Sequence, residues 1–203
     1  MKELIREALS HYTPNELDTE SVGAAAAVLV LLYDNDGEVH VVFQKRTDHV
    51  RDHKGQISFP GGAADEGDTD LRYTALRETH EEIGVLPADV DVLGELDELL
   101  TISNFRVKPF VGWLSRFPYE WKFSDHEVAY LLEVPLSHLM DPATLIPDRR
   151  TFNGREIVFQ SYQFGDDLIW GATARMLSNF LDVCLSIPGF GAKAVPAPSL
   201  AEQ

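Results

Sequence analysis

Three glutamates close together in the chain have the spacing most able to support chemistry. Glu78, Glu81 and Glu82 stand at positions i, i+3 and i+4, so a helix would place their carboxylates on one face. Clustered carboxylates repel each other and raise one another's pKa values, and a bound cation relieves that conflict. Ligands that are all oxygen atoms favour a hard metal such as Mg²⁺ or Mn²⁺. The alternative interpretation is the solvated acidic face of a surface helix.

The residues on either side of the glutamates favour the metal site over that alternative. Gly61 and Gly62 lie upstream, at a distance that lets a loop fold back against the start of the helix. Arg77 precedes the first glutamate and could orient the carboxylates. Gly84 follows directly, where a helix C-cap glycine belongs.

Segment 62–85, GAADEGDTDLRYTALRETHEEIGV, resembles the box of the Nudix hydrolase family. That box reads G-x5-E-x7-R-E-U-x-E-E-x-G-U, where U is a bulky apolar residue. The matching positions are Gly62, Arg77, Glu78, Glu81, Glu82 and Gly84. The early acid is Asp68, with eight residues between it and Arg77, and Thr79 stands where the family has an apolar residue. The resemblance implies an α/β/α sandwich with a mixed β-sheet and hydrolysis of a nucleoside diphosphate linked to another moiety.

The resemblance also implies which residues bind the metal. Glu78, Glu81 and Glu82 would hold Mg²⁺ or Mn²⁺, and the carbonyl of Gly62 is a further candidate ligand. The expected reaction is substitution at phosphorus by a metal-activated water.

A general base within hydrogen-bond reach of that water would assist the reaction. Glu81 and Glu78 are candidates, and Arg77 is expected to support them in catalysis. Glu127 is a third candidate, because the family often supplies an acid from the loop before the corresponding strand. The alternative for Glu127 is an ordinary surface carboxylate beside Asp125 and His126.

Segment 44–62, QKRTDHVRDHKGQISFPGG, concentrates positive charge in an acidic chain. It could bind phosphate or be a solvated loop with scattered cations. It is similar to a signature of the coenzyme A branch of the Nudix family, L-L-T-x-R-[SA]-x3-R-x3-G-x3-F-P-G-G. The positions in register are Arg46, Arg51, Gly55, Phe59, Pro60, Gly61 and Gly62, and Thr47 replaces Ser or Ala.

The signature implies coenzyme A or a derivative as substrate. The products would be 4′-phosphopantetheine, or its acylated form, and adenosine 3′,5′-bisphosphate. The residues expected to bind the substrate are Arg46, Arg51, Lys54 and Gly61. Two alternatives stay open: a Nudix diphosphatase acting on ADP-ribose, NADH or a nucleoside triphosphate, and a catalytically silent Nudix module that senses a ligand.

The composition of the chain limits the kinds of partner that the protein is expected to bind. The formal net charge of −16 argues against general nucleic-acid binding, which needs a basic surface. The apolar run 23–33 is too short to cross a bilayer as a helix, and no targeting segment is evident. The single cysteine, Cys184, reads as a core residue. We expect a cytoplasmic enzyme that acts on a small-molecule substrate and has no membrane or nucleic-acid partner. A homodimer is expected only from the family resemblance.

The elements that must position these residues follow from periodicity and turn signals. Helices are predicted at 1–10, 70–83 and 172–185, and strands at 24–33, 39–44, 90–96, 107–114, 128–134 and 157–164. The order of strands, one helix, further strands and a last helix predicts one α/β domain over 1–187. Residues 188–203 are rich in Pro, Ala and Gly and are predicted to form a flexible tail.

Overall fold

The computed structural model describes residues 1–18, 23–48, 54–152 and 155–191. The helices are α1 (Lys2–His11), α2 (Leu71–Ile83), α3 (Leu136–Leu139) and α4 (Gly171–Leu185). The strands are β1 (Ala24–Asn35), β2 (Glu38–Arg46), β3 (Ile57–Ser58), β4 (Gly61–Ala63), β5 (Val90–Glu95), β6 (Leu99–Leu100), β7 (Phe105–Leu114), β8 (Val128–Pro135), β9 (Leu145–Phe152), β10 (Arg155–Phe164) and β11 (Asp167–Ile169). The helices and strands predicted from periodicity are therefore present.

The main sheet is mixed and has β1 at its centre. Strand β1 pairs in parallel with β7 along one edge and antiparallel with β2 along the other. The sheet continues from β2 to β8 and from β7 to β5. The short strands β3 and β4 pair with β2 and β1 respectively. This pairing brings the glycine-rich end of the basic loop against the middle of the sheet.

Side chains of β1 alternate between two apolar clusters, one on each face of the sheet. Val30 and Leu32 join the cluster that contains the buried residues of α1 and α4. Leu29 and Leu31 join the cluster that contains the buried residues of α2. A strand covered on both faces is apolar throughout, which explains the run 23–33. The predicted α/β/α sandwich with a mixed sheet is confirmed.

A second, three-stranded sheet has the order β11-β10-β9, and α4 packs against β10. The sequence predicts only the middle strand of this sheet. Strand β9 contains Pro147, Arg149 and Arg150, residue types that read as a loop. It lies at the edge of the sheet, where a proline does not interrupt a hydrogen-bonded ladder on both sides.

The apolar core extends past the end of α4. The side chain of Phe190 is only 1% exposed and belongs to the cluster under α1 and α4. The predicted tail begins at 188, before this residue, and 192–203 lie outside the described residues. The domain boundary at 187 therefore stays a prediction. No helix in the described part of the chain has both the length and the apolar character needed to cross a bilayer.

Candidate active site

Helix α2 carries the glutamate cluster, and its sequence sets both of its ends. At the start, Asp70 accepts a hydrogen bond from the backbone N–H of Tyr73 at 2.7 Å, an N-cap that satisfies a free donor. At the end, Gly84 adopts φ +77° and donates its N–H to the carbonyl of His80. The predicted C-cap at Gly84 is confirmed, and it stops the helix directly after the acids.

Arg77 donates hydrogen bonds to three acidic residues, Asp68, Glu78 and Glu81. Its Nε and Nη2 donate to the two carboxylate oxygens of Asp68, each at 2.9 Å. Its Nη1 donates to Glu78 at 2.8 Å and to Glu81 at 3.3 Å. Nη2 also donates to the carbonyl of Ala63 at 3.2 Å. One guanidinium thus orients two of the glutamates and anchors them to the loop that precedes α2.

Asp68 is a site residue that the candidate set from sequence omitted. It receives both arms of the Arg77 fork, and it also accepts a hydrogen bond from the hydroxyl of Thr74 at 2.7 Å. The Arg77 guanidinium, helped by the backbone N–H of Asp65, holds the pKa of Asp68 below its usual range. The position of an acid within the box was the available signal, and its altered spacing obscured the role.

Glu82 is the most buried of the three glutamates, with 3% exposure. One carboxylate oxygen accepts the backbone N–H of Gly61 at 2.8 Å, and the other lies 3.3 Å from Nη1 of Arg46. Burial raises the pKa of Glu82 to about 7, although the Gly61 N–H acts in the opposite direction. Burial also raises the pKa of Glu78, and the nearby charges of Glu81 and Glu127 add to this while Arg77 opposes it.

The two glycines allow close approach to the sheet and to Glu78. Gly61 has φ +147°, and a Cβ there would lie 2.3 Å from the carbonyl oxygen of Ala27. A Cβ on Gly62 would lie 2.6 Å from Cδ and Oε2 of Glu78. The missing side chain at Gly62 therefore leaves the space that the Glu78 carboxylate occupies.

Replacing Gly62 with alanine is expected to displace the Glu78 carboxylate and leave the fold intact, because the clashing atoms are the end of a flexible side chain. Turnover and apparent Mn²⁺ affinity should each fall by about 10–100-fold, the usual cost of disturbing the surroundings of a metal site. The control is Gly67→Ala, because a Cβ at Gly67 meets no atom within 4 Å. Equal activity and Mn²⁺ affinity of the two variants would contradict the assigned role.

A cleft of about 280 Å³ brings most of the predicted site together. The predicted residues that line it are Arg46, Gly61, Gly62, Glu78, Glu82 and Glu127. Thr101, Ser103, Phe105 and Val107 form another part of its wall. Two larger hollows, of about 490 and 560 Å³, contain none of the predicted catalytic or metal-binding residues. Chemistry rather than size therefore identifies the candidate site.

Three predicted residues that the structure describes do not line the cleft, and a fourth lies outside the described residues. The Glu81 side chain is 57% exposed, and it contacts Arg77 without lining the cleft. Lys54 is exposed on a turn and is also absent from the cleft wall. Arg51 lies outside the described residues. Arg77 does not line the cleft either, and it contacts Glu78 and Glu81 through the hydrogen bonds given above.

The donor set fits a hard divalent cation in chemical type. Glu78, Glu82 and Glu127 supply carboxylate oxygens to one cleft, and the raised pKa values of Glu78 and Glu82 mark a place where positive charge is favourable. As placed, the carboxylates contact Arg77, Arg46 and the Gly61 N–H. Within the described ranges no three acidic, histidine or cysteine side chains already form a metal-binding group.

The class of protein follows from comparison with known families. A sequence profile of the NUDIX domain matches residues 23–157. The chain belongs to the NUDIX domain family, and the glutamate cluster on α2 lies within the matched region.

The chain is similar to several curated members of that family. It is 36% identical over 158 residues to "Nudix hydrolase 22, chloroplastic" of Arabidopsis thaliana, an alignment that covers 75% of this chain and 52% of that protein. It is 32% identical over 178 residues to "Uncharacterized Nudix hydrolase NudL" of Salmonella paratyphi B, with 86% of each chain covered. The chain spans 52% and 59% of the length of the two Arabidopsis relatives it matches.

A solved structure shows the same fold. The crystal structure of a MutT/nudix family protein from Enterococcus faecalis superposes with a TM-score of 0.57 at 14% identity, covering 96% of this chain and 73% of that one.

Proposed function

We propose that the protein is a metal-dependent Nudix hydrolase that splits the diphosphate bond of coenzyme A or a derivative. The products are 4′-phosphopantetheine, or its acylated form, and adenosine 3′,5′-bisphosphate. The observation that carries the proposal is the single cleft in which Glu78, Glu82 and Glu127 meet Arg46 and the two glycines. Nudix hydrolases generally use divalent ions such as Mg²⁺ or Mn²⁺ and act on nucleotide-derived diphosphates.

The acids of α2 support the hydrolytic part of the proposal. Glu78 and Glu82 would hold the ion, with Glu81 and the Gly62 carbonyl as further ligands. Once bound, a divalent ion neutralises diphosphate charge and lowers the pKa of water. Arg77 keeps Glu78 and Glu81 oriented through its hydrogen bonds. Glu127 also lines the cleft, and in this proposal it accepts a proton from the attacking water.

The wall of the cleft supports coenzyme A as the substrate. Arg46 comes from the segment that resembles the coenzyme A signature, and its guanidinium is a suitable partner for phosphate oxygens. Phe105 and Val107 provide an apolar surface beside the acids, which suits an adenine ring or a pantetheine arm. A charged wall and an apolar wall in one cleft match a substrate that has both chemical characters.

Incubation of the protein with coenzyme A and Mg²⁺ is expected to yield the two named products in equal amounts, identified by mass spectrometry and ³¹P NMR. The matched control is the variant Glu82→Gln, which should release both products more than about 100-fold more slowly. Parallel reactions with ADP-ribose, NADH and a nucleoside triphosphate test the preference. Turnover of ADP-ribose as fast as that of coenzyme A would remove coenzyme A from first place.

One observation favours a second candidate function, hydrolysis of a nucleotide diphosphate that has no 3′-phosphate. Lys54, a predicted phosphate ligand, is exposed and does not line the cleft. Arg46 is the cation that the described part of the chain supplies to the cleft wall. ADP-ribose and NADH carry fewer phosphate charges than coenzyme A and need fewer cations. The same substrate panel separates the two candidates.

A further inference from the structure

The loop that leads to Glu127 is hydrogen-bonded to the C-terminal end of α2, the helix that carries the three glutamates. The N–H of Lys122 donates to the carbonyl of Ile83 at 3.1 Å, and the N–H of Ser124 donates to the carbonyl of Glu82 at 2.9 Å. The N–H of Glu127 in turn donates to the carbonyl of Ser124 at 2.9 Å. These bonds satisfy carbonyl groups that every helix leaves free at its C-terminus. They hold the segment that leads to Glu127 against the end of α2.

Thr47 holds the same loop from the opposite side. Its backbone N–H donates to the carbonyl of Glu127 at 2.9 Å, and its hydroxyl donates to the carbonyl of His126 at 2.6 Å. The residue is only 9% exposed, so these hydrogen bonds compete little with water. Thr47 therefore hydrogen-bonds to the carbonyl groups of two consecutive residues, His126 and Glu127.

The carboxylate of Glu127 receives no comparable support from the residues that the structure describes. It lines the same cleft as Glu78 and Glu82. No hydrogen bond from a residue in the described ranges is made to this carboxylate. The backbone at 126 and 127 therefore sets the point from which the Glu127 side chain enters the cleft.

We propose that Thr47 is a positioning residue, whose hydroxyl fixes the loop at 126–127 so that the Glu127 carboxylate faces the acids of α2. The inference rests on the proposed hydrolytic function of the cleft, but it concerns Thr47 alone. Serine retains the hydroxyl and valine retains the shape, so these two substitutions separate the hydrogen bond from the packing.

The test is a double-mutant cycle in which Thr47→Val and Thr47→Ser are each made in the wild type and in Glu127→Gln. The substrate is the diphosphate that the wild type hydrolyses fastest. Thr47→Val should lower kcat by about 10-fold, comparable to the loss of a partner that orients a ligand, with KM little changed. Thr47→Ser should restore wild-type kcat, and Thr47→Val should have no further effect when Glu127 is already glutamine.

A purely structural role gives a different pattern. It would lower kcat by the same factor in both backgrounds and lower the melting temperature as well, and either additive losses or a fully active Thr47→Val would overturn the proposal. Crystal structures of the wild type and Thr47→Val supply a readout independent of turnover. The main chain at 126–127 should move away from Glu78 in the variant, and an unmoved main chain would overturn the proposal even if the protein hydrolyses a different substrate or none.

Discussion

Glu82→Gln is expected to reduce kcat/KM by more than about 100-fold. Loss of a partner that merely orients a metal ligand commonly costs about 10–100-fold, and Glu82 is proposed to be a ligand itself. The substitution keeps the shape of the side chain and one oxygen that can accept the Gly61 N–H. It removes the charge that would hold the ion. Mn²⁺ titration followed by electron paramagnetic resonance should show weakened binding, while the melting temperature stays close to that of the wild type.

The matched control for this experiment is Glu66→Gln. Glu66 is an exposed carboxylate in the loop before α2, so the variant loses the same charge without touching the cleft. It should keep wild-type turnover and Mn²⁺ affinity. If Glu82→Gln were as active as Glu66→Gln, Glu82 of α2 would not be a ligand of the catalytic ion.

Arg77→Lys is expected to have the second largest effect, because it should reduce stability as well as activity. A lysine keeps the positive charge but cannot form the two parallel bonds to Asp68 while also reaching Glu78. Turnover and Mn²⁺ affinity should fall by about 10–100-fold because the glutamates lose their orientation. The melting temperature should fall too, since the side chain of Asp68 is 4% exposed and would lose its principal partner.

The pH dependence of that stability loss has a definite sign. Because Arg77 lowers the pKa of Asp68 in the folded protein, the pair contributes stability above the unfolded carboxyl pKa of about 3.9. That contribution is lost as the pH falls through the lower, folded value. The difference in melting temperature between the wild type and Arg77→Lys should therefore narrow below about pH 4. Arg72→Lys, on the exposed face of the same helix, is the control and should match the wild type throughout.

The fold was largely predictable because its strongest signals are local. The apolar run of β1 and the cap residues Asp70 and Gly84 each identify an element without reference to the rest of the chain. Strand β9 escaped prediction because Pro147 and its neighbouring arginines favour a loop, and only pairing with β10 makes the segment extended. Pairing of this kind depends on tertiary context that local propensity does not contain.

The site was predictable in composition but not in every position. Helical spacing places Glu78, Glu81 and Glu82 on one face, yet the side chain of Glu81 is directed to Arg77 and stays outside the cleft. Side-chain torsion decides this, and spacing carries no information about it. Glu127 lies far along the chain from α2, so only family resemblance suggested it. The function of Asp68 depends on the fork of Arg77, which becomes visible only in three dimensions.

The parallel pairing of β1 with β7 has a consequence for how the protein folds. Residues 36–104 lie between the two strands, so the centre of the sheet closes a loop that contains all of α2. Contacts between residues so far apart form late, because the entropy of loop closure must be overcome first. During synthesis α2 leaves the ribosome before β7, the strand that pairs with β1 to complete the centre of the sheet. We therefore expect the cleft to be among the last features of the molecule to assemble.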